Sequence, residues 1–253
     1  PVNIDPNGQL LRLADRHFTL PYGEETMMAS GAALMSGILL RPMFRGTGYD
    51  KNQRTHGDFG SDIYIVDSMP IPVCGFGRAH FSKRFKDISS YGYCASKKET
   101  YYGLKLHAVV NLEGYVVDFE LTAANVDDRA ILWELLSDAY QPIVLGDKGY
   151  IGDTFAQELK TEKGITLLAL KRNNSKKPYP KNLRNWISKH RRRIETTFSQ
   201  LAEQFHINEV LANSLSGLKA RIQSKILGHN ISYFMNKCLG NQATGQIKHL
   251  IFG

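Results

Sequence analysis

The sequence predicts an α/β fold built on a single sheet. Three observations predict it. Strand-like and helix-like segments alternate from residue 63 onward, two strand-like runs keep a period of two across a turn-forming link, and a long final helix carries an apolar stripe. The first run, Ile63 to Val66, is β-rich and ends at Asp67, consistent with a strand buried on both faces. Pro70 and Pro72 are expected to stop it there. Leu104, Leu106, Ala108 and Val110 then share one face of a second strand, and Tyr115, Val117, Phe119 and Leu121 one face of a third. The link Asn111-Leu112-Glu113-Gly114 makes these two an antiparallel hairpin.

A helix follows. Asn125 is its expected cap, Asp127 and Asp128 suit its positive first turn, and Ile131, Leu132, Leu135 and Leu136 form its buried stripe. Pro142 to Leu145 reads as the fourth strand, ending at Gly146-Asp147. Thr154 with Gln157 has the spacing of a capping box that opens another helix, closed at Gly164, and Ile165 to Leu170 is the fifth strand. In the last helix Ile187, Ile194, Phe198, Leu201 and Phe205 lie within a narrow arc, which puts Glu195 at the border between the buried and exposed faces. Residues 1–60 carry no dependable period and are set apart as a truncated or accessory segment. Residues 61–240 form the main domain and 241–253 a C-terminal tail.

A chain of 253 residues, 42% hydrophobic, can bury a full core. Its longest apolar stretch, Met27 to Leu40, is 14 residues and falls short of the ~20 that span a bilayer. Cys74, Cys94 and Cys238 are too scattered for a zinc site and read as reduced thiols, so a cytoplasmic location is expected. The net charge of +8 is concentrated: ten Lys and Arg lie between Lys171 and Arg193 with no Asp or Glu, leaving the rest of the chain at −2. A cationic block of this kind suits a polyanion, nucleic acid first, although most charge runs are simply solvated surface.

Three acids share an arrangement. Asp67 ends the first strand, Asp147 the fourth, and Glu195 lies on a helix that must pack on the same sheet. Strands ending side by side bring their terminal carboxylates to the crevice where open α/β sheets bind ligands. Three converging anions need divalent cations, and hard oxygen donors select Mg²⁺ or Mn²⁺. Two such ions in one site clamp both oxygens of an in-line phosphoryl transfer. Taken singly, each acid has a plainer reading, as a turn former or a solvated helix residue.

Five stretches add to this: Tyr64 to Cys74, Tyr102 to Asn111, Ala124 to Arg129, Gly146 to Ile151 and Ile194 to Phe198. In this order they resemble the successive blocks of bacterial insertion-sequence DDE transposases, over roughly residues 60–240. The resemblance implies a ribonuclease-H-like core, a five-stranded mixed sheet flanked by helices, with Asp67, Asp147 and Glu195 as the catalytic and metal-binding triad. It implies two Mg²⁺ per site, replaceable by Mn²⁺. Many relatives carry Tyr, Arg, Glu and Lys around the last acid. Here Arg191 and Glu195 fill two of those positions, but Ser188 and Ala202 stand at the others.

Arg191 is expected either to hold a DNA phosphate or to pair with Glu195 one helical turn on. The missing Lys leaves a phosphate contact that Lys148 or Lys105 could supply, with Lys171, Arg172, Lys176, Lys177 and Arg192 as further DNA contacts. His107 is expected to make a structural hydrogen bond. Tyr91, Tyr93, Tyr101 and Tyr102 sit among lysines and could stack on unpaired bases, with packing the plainer reading. Pro178-Tyr179-Pro180 reads as an extended loop able to follow a phosphate backbone.

The expected function is therefore DNA transposition: Mg²⁺-dependent hydrolysis at element ends, then transfer of the freed 3′-hydroxyl into target DNA. The expected partners are double-stranded DNA, as terminal inverted repeats and target, and further copies of the chain on paired ends, with no membrane. A DNA-bound chain would be nucleoid-associated. A ribonuclease-H-like nuclease without strand transfer, or an inactive DNA-binding remnant, are the alternatives.

Overall fold

The computed structural model describes residues 63–95, 97–135, 142–172, 175, 178–209, 211–241 and 245–252. The expectations for residues 1–60, Leu136, Lys176 and Lys177 lie outside the described residues. The described strands are β1 (Ile63–Pro72), β2 (Ser90–Cys94), β3 (Glu99–Asn111), β4 (Val116–Ala123), β5 (Ile143–Gly146) and β6 (Thr166–Ala169). The helices are α1 (Asp128–Ile131), α2 (Asp153–Lys163), α3 (Lys181–Glu203), α4 (Leu215–Cys238) and α5 (Lys248–Phe252).

All six strands form one mixed sheet in the order β2-β3-β1-β5-β6, with β4 also on β3. The fold is the expected α/β sheet flanked by helices, with β2 as an extra strand. β1, β2 and β4 each run antiparallel to β3, whereas β5 is parallel to β1 and to β6. The hairpin forms as expected, and Asn111 fixes its turn by accepting from the backbone N–H groups of Glu113, Gly114 and Tyr115. One face of the sheet buries Val66, Val109, Val117, Val144 and Leu167 under α1 and α2. The other buries Ile65, Ile71, Leu104, Leu106, Ala108 and Leu145 under Ile187, Ile194 and Leu201 of α3 and Ile222 and Ile226 of α4.

The structure corrects the sequence reading in four places. β1 does not stop at Asp67; it runs on to Pro72, with Asp67 in its middle. Val73 donates to Tyr102, so the alternation of an antiparallel pair turns the nitrogens of Pro70 and Pro72 away from β3. On that side β1 pairs with β5 only over Ile63, Tyr64 and Ile65, so the prolines cost no ladder bond. The second correction concerns α1, which is capped by Asp127 rather than Asn125 and spans only 128–131. Third, α2 begins at Asp153 after Gly152, with no side-chain cap from Thr154; it does close at left-handed Gly164. Last, α3, which starts at Lys181 and buries Thr197 and Gln200 beside its apolar stripe, is not the final helix, since α4 and α5 follow it.

Candidate active site

Asp67 and Asp147 reach the same place by register. Ile65 pairs with Leu145 in the parallel ladder, and two further residues along each strand lead to the two acids. Neighbouring strands are about 4.8 Å apart, so their side chains emerge close together. Asp147 leaves β5 as the cap of a 3-10 turn, Lys148–Tyr150, and its Oδ1 accepts from the Gly149 N–H at 2.6 Å.

Asp67 is partly buried. Its Oδ1 accepts from the Ser68 N–H at 2.8 Å, and its Oδ2 accepts from Nη2 of Arg191 on α3 at 3.1 Å. Burial pushes its carboxyl up to about 6; the Arg191 charge and the Ser68 bond pull against this, and the charges of Asp147 and Asp128 add to it. A carboxylate already disfavoured by burial and by two anionic neighbours is one that a cation would stabilise. The donors at this point are carboxylate oxygens, the ligand chemistry of a hard divalent ion such as Mg²⁺.

The third acid at this point is one that sequence reasoning had assigned elsewhere. Asp128 had been read as a helix-end charge, yet its carboxylate turns toward the sheet and accepts from Lys105 at 3.0 Å. Asp147 Oδ1 and Asp128 Oδ2 lie 2.9 and 3.5 Å from the point where a Cβ on Gly149 would stand. The two carboxylates therefore face one another across a glycine. The signal in the sequence was Lys105 on the inward face of its strand, a cation that needed a nearby anion.

Glu195 is bonded to none of these three. It is exposed on α3, one turn beyond Arg191, and makes no hydrogen bond or ion pair with the described residues. Arg191 pairs with Asp67 instead of with Glu195, and its Nε is buried without a hydrogen-bond partner. Among the described residues, no three His, Cys, Asp or Glu side chains converge closely enough to hold a metal ion between them.

The remaining cations divide. Lys105 is committed inside, bonded to the Val126 carbonyl at 2.7 Å as well as to Asp128. Lys148 is exposed beside Asp147, and Arg172 and Arg192 are exposed. Lys171 lies over the ring of Tyr179, 4.9 Å from its centroid. His107 is fully buried and makes the expected structural bond, its Nε2 2.9 Å from Thr122 Oγ1; burial pushes its pKa down, against the pull of the Asp128 carboxylate 3.5 Å from its Nδ1. Tyr150 was missed as a site residue. Its side chain is fully buried, its hydroxyl has no hydrogen-bond partner, and burial with the charges of Asp128, Asp67 and Asp147 pushes its pKa well up.

A mixed sheet with acids at adjoining parallel strands, crossed by a helix that delivers an arginine to one of them, is a ribonuclease-H-like core. Residues 58–214 match the family described as "Transposase DDE domain", and since this is more than half of the chain, the protein belongs to that family. No match was found among the curated proteins or among the solved structures. The family implies a polynucleotidyl transferase that acts on DNA. No helix among the described residues is long and apolar enough to cross a membrane.

Proposed function

We propose that this chain cuts DNA at the ends of its own mobile element and joins the freed 3′-hydroxyl to target DNA, with magnesium as cofactor and manganese as a substitute. The observation that carries this reading is the pairing of Asp67 with Asp147 beside Arg191. Asp67, Asp147 and Glu195 are the proposed holders of two Mg²⁺. Bound magnesium would supply Lewis acidity toward the phosphate and a more acidic water.

The protein's own residues do the rest. Arg191 anchors Asp67 through Nη2 and puts a fixed positive charge beside the acids, where an incoming phosphate would need it. The Ser68 and Gly149 N–H groups fix one oxygen of each aspartate, so neither carboxylate must reorganise when charge builds up on the phosphate. Lys148, Arg172 and Arg192, with Lys171, Lys176 and Lys177, are proposed to bind the DNA backbone. Lys105 joins them only if it lets go of Asp128. Glu195 is proposed as the third acid because it lies in the Ile194–Phe198 block and its carboxylate is uncommitted. Asp128 is its rival. Assembly on paired ends and residence in the cytoplasm, on the nucleoid when DNA-bound, belong to the same proposal.

The test is nicking of a duplex carrying the element's own ends, with Mg²⁺ or Mn²⁺. Asp67→Asn and Asp147→Asn are each expected to lower the rate by at least about 10³-fold; unchanged cutting by Asp147→Asn would sink the reading. Glu195→Gln compared with Asp128→Asn identifies the third acid. A pre-cut 3′-hydroxyl end yields joined products if the chain transfers strands and none if it only hydrolyses.

A further inference from the structure

The segment between β1 and β2 and the edge strand itself expose aromatic rings that no core requires. Phe81 is 81% exposed, Tyr93 65%, Phe76 56% and Tyr91 50%. Rings left in water gain nothing from folding, and a patch of them points to an occupant. Two of these rings are also ordered against one another. Phe76 meets Tyr91 edge-on at 6.0 Å, and Tyr91 lies 5.0 Å from Tyr102, which is itself buried.

The charge around them selects the occupant. Between Phe76 and Lys86 the chain carries Arg78, Lys83, Arg84 and Lys86 and no acid. All four are exposed, and none makes an ion pair or side-chain hydrogen bond with the described residues. A protein partner would need a matching acidic face, whereas DNA supplies both the anions and the flat rings.

Register places this patch relative to the acids. Tyr91 is opposite Tyr102 and Asp67 is opposite Ala108, and positions 102 and 108 of β3 share a face. Tyr91 and Tyr93 therefore lie on the same face of the sheet as Asp67. Six residues of strand separate Tyr91 from it and eight separate Tyr93, about 20 and 26 Å, or roughly six to eight base steps at the rise of B-DNA.

We propose that Phe76, Phe81, Tyr91 and Tyr93, with Arg78, Lys83, Arg84 and Lys86, form a platform that stacks unpaired bases of the DNA strand leaving the acidic site. This rests on the reading of the chain as a DNA-cutting enzyme and adds the surface that holds the strand flanking the cut. The rings stack on base faces without reading their identity, and the cations track the phosphates on either side.

The test uses the full chain and an element-end duplex with a single-stranded tail carrying 2-aminopurine, whose fluorescence is quenched when it stacks. Wild-type protein is expected to quench it. The double variant Phe81→Ala/Tyr93→Ala is expected to lose quenching and to bind tailed DNA about 10-fold more weakly, while affinity for blunt duplex changes less than about 2-fold. Tyr93→Phe should keep the signal. Lys83→Gln/Arg84→Gln should lower the salt dependence of tailed-DNA binding by about two phosphate contacts.

Wild-type-like quenching by the double alanine variant overturns the proposal. So does full function from Tyr93→Leu, or loss of self-association in sedimentation with DNA binding intact. The quenching assay is repeated in Asp147→Asn, which should bind and stack while failing to cut. Should Asp147→Asn cut normally, it is the proposed function that fails, with the stacking result standing by itself.

Discussion

At the scale of single residues the site depends on Gly149. A methyl group there would stand 2.9 Å from Asp147 Oδ1, closer than a carbon and an oxygen can sit. Gly149→Ala is therefore expected to displace the Asp147 carboxylate without touching the core. Cutting should fall by about 10²-fold while the thermal midpoint barely moves, since a misplacement near 1 Å is enough for such a loss. Arg191 is the second sensitive residue. Arg191→Met leaves Asp67 partly buried and unpaired, at a cost of roughly 1–3 kcal/mol in urea unfolding. The Arg191 charge lowers the Asp67 pKa, so its removal should raise the carboxyl further above about 6, which carbon-detected NMR titration can follow.

At the scale of elements, the hairpin and α3 and α4 are joined by polar bonds as well as by apolar packing. Thr197 donates to the Gly114 carbonyl at 3.0 Å, and Asn230 on α4 bonds both the N–H and the C=O of Val116, at 3.0 and 2.9 Å. Val116 pairs with Val110 next to the β3–β4 register shift, and Asn230 holds its backbone N–H and C=O there. Asn230→Leu strips both buried groups of their partner and is expected to cost about 2–4 kcal/mol in denaturant unfolding, with the hairpin amides losing exchange protection. Local pattern is also what made this hairpin legible in the sequence: its two alternating runs and turn lie within 20 residues of each other. β2 was illegible because Ser90-Tyr-Gly-Tyr-Cys94 has a glycine where an inward apolar residue would sit, a position packed by Ala124. α4 was missed because His229, Asn230 and Asn236 are buried in its inner face and break its apolar stripe. The full length of β1 was hidden because two prolines stop most strands, and only the pairing geometry shows that theirs face an open edge. Asp67 and Asp147 were legible because an Asp after a strand-like run needs only local pattern. Asp128 was not, since its partner Lys105 lies 23 residues away on another element.

At the scale of the whole molecule, two apolar layers clasp the sheet, and the layer beneath α1 and α2 extends to Tyr115 and Tyr233, beside a neutral histidine. His229 is fully buried; its Nε2 lies 3.1 Å from Gln200 Oε1, Phe205 and Tyr233 flank its ring, and burial pushes its pKa down to about 4. A folded pKa below the ordinary ~6.5 means the unfolded chain takes up the proton first. The stability this group allows is complete above about pH 6.5 and is lost as pH falls toward 4. Across that window wild type should lose roughly 3 kcal/mol more than His229→Gln, read as the difference in urea midpoints. The same sheet is also forked. β1 and β5 run together for three residues, deliver their acids, and part, and from there β1 offers Pro70 and Pro72 along its bare margin. A zipper missing those teeth cannot close from that side. Among the described residues no strand lies against that margin, and a backbone without N–H groups at two alternate positions gives a newcomer little to grip.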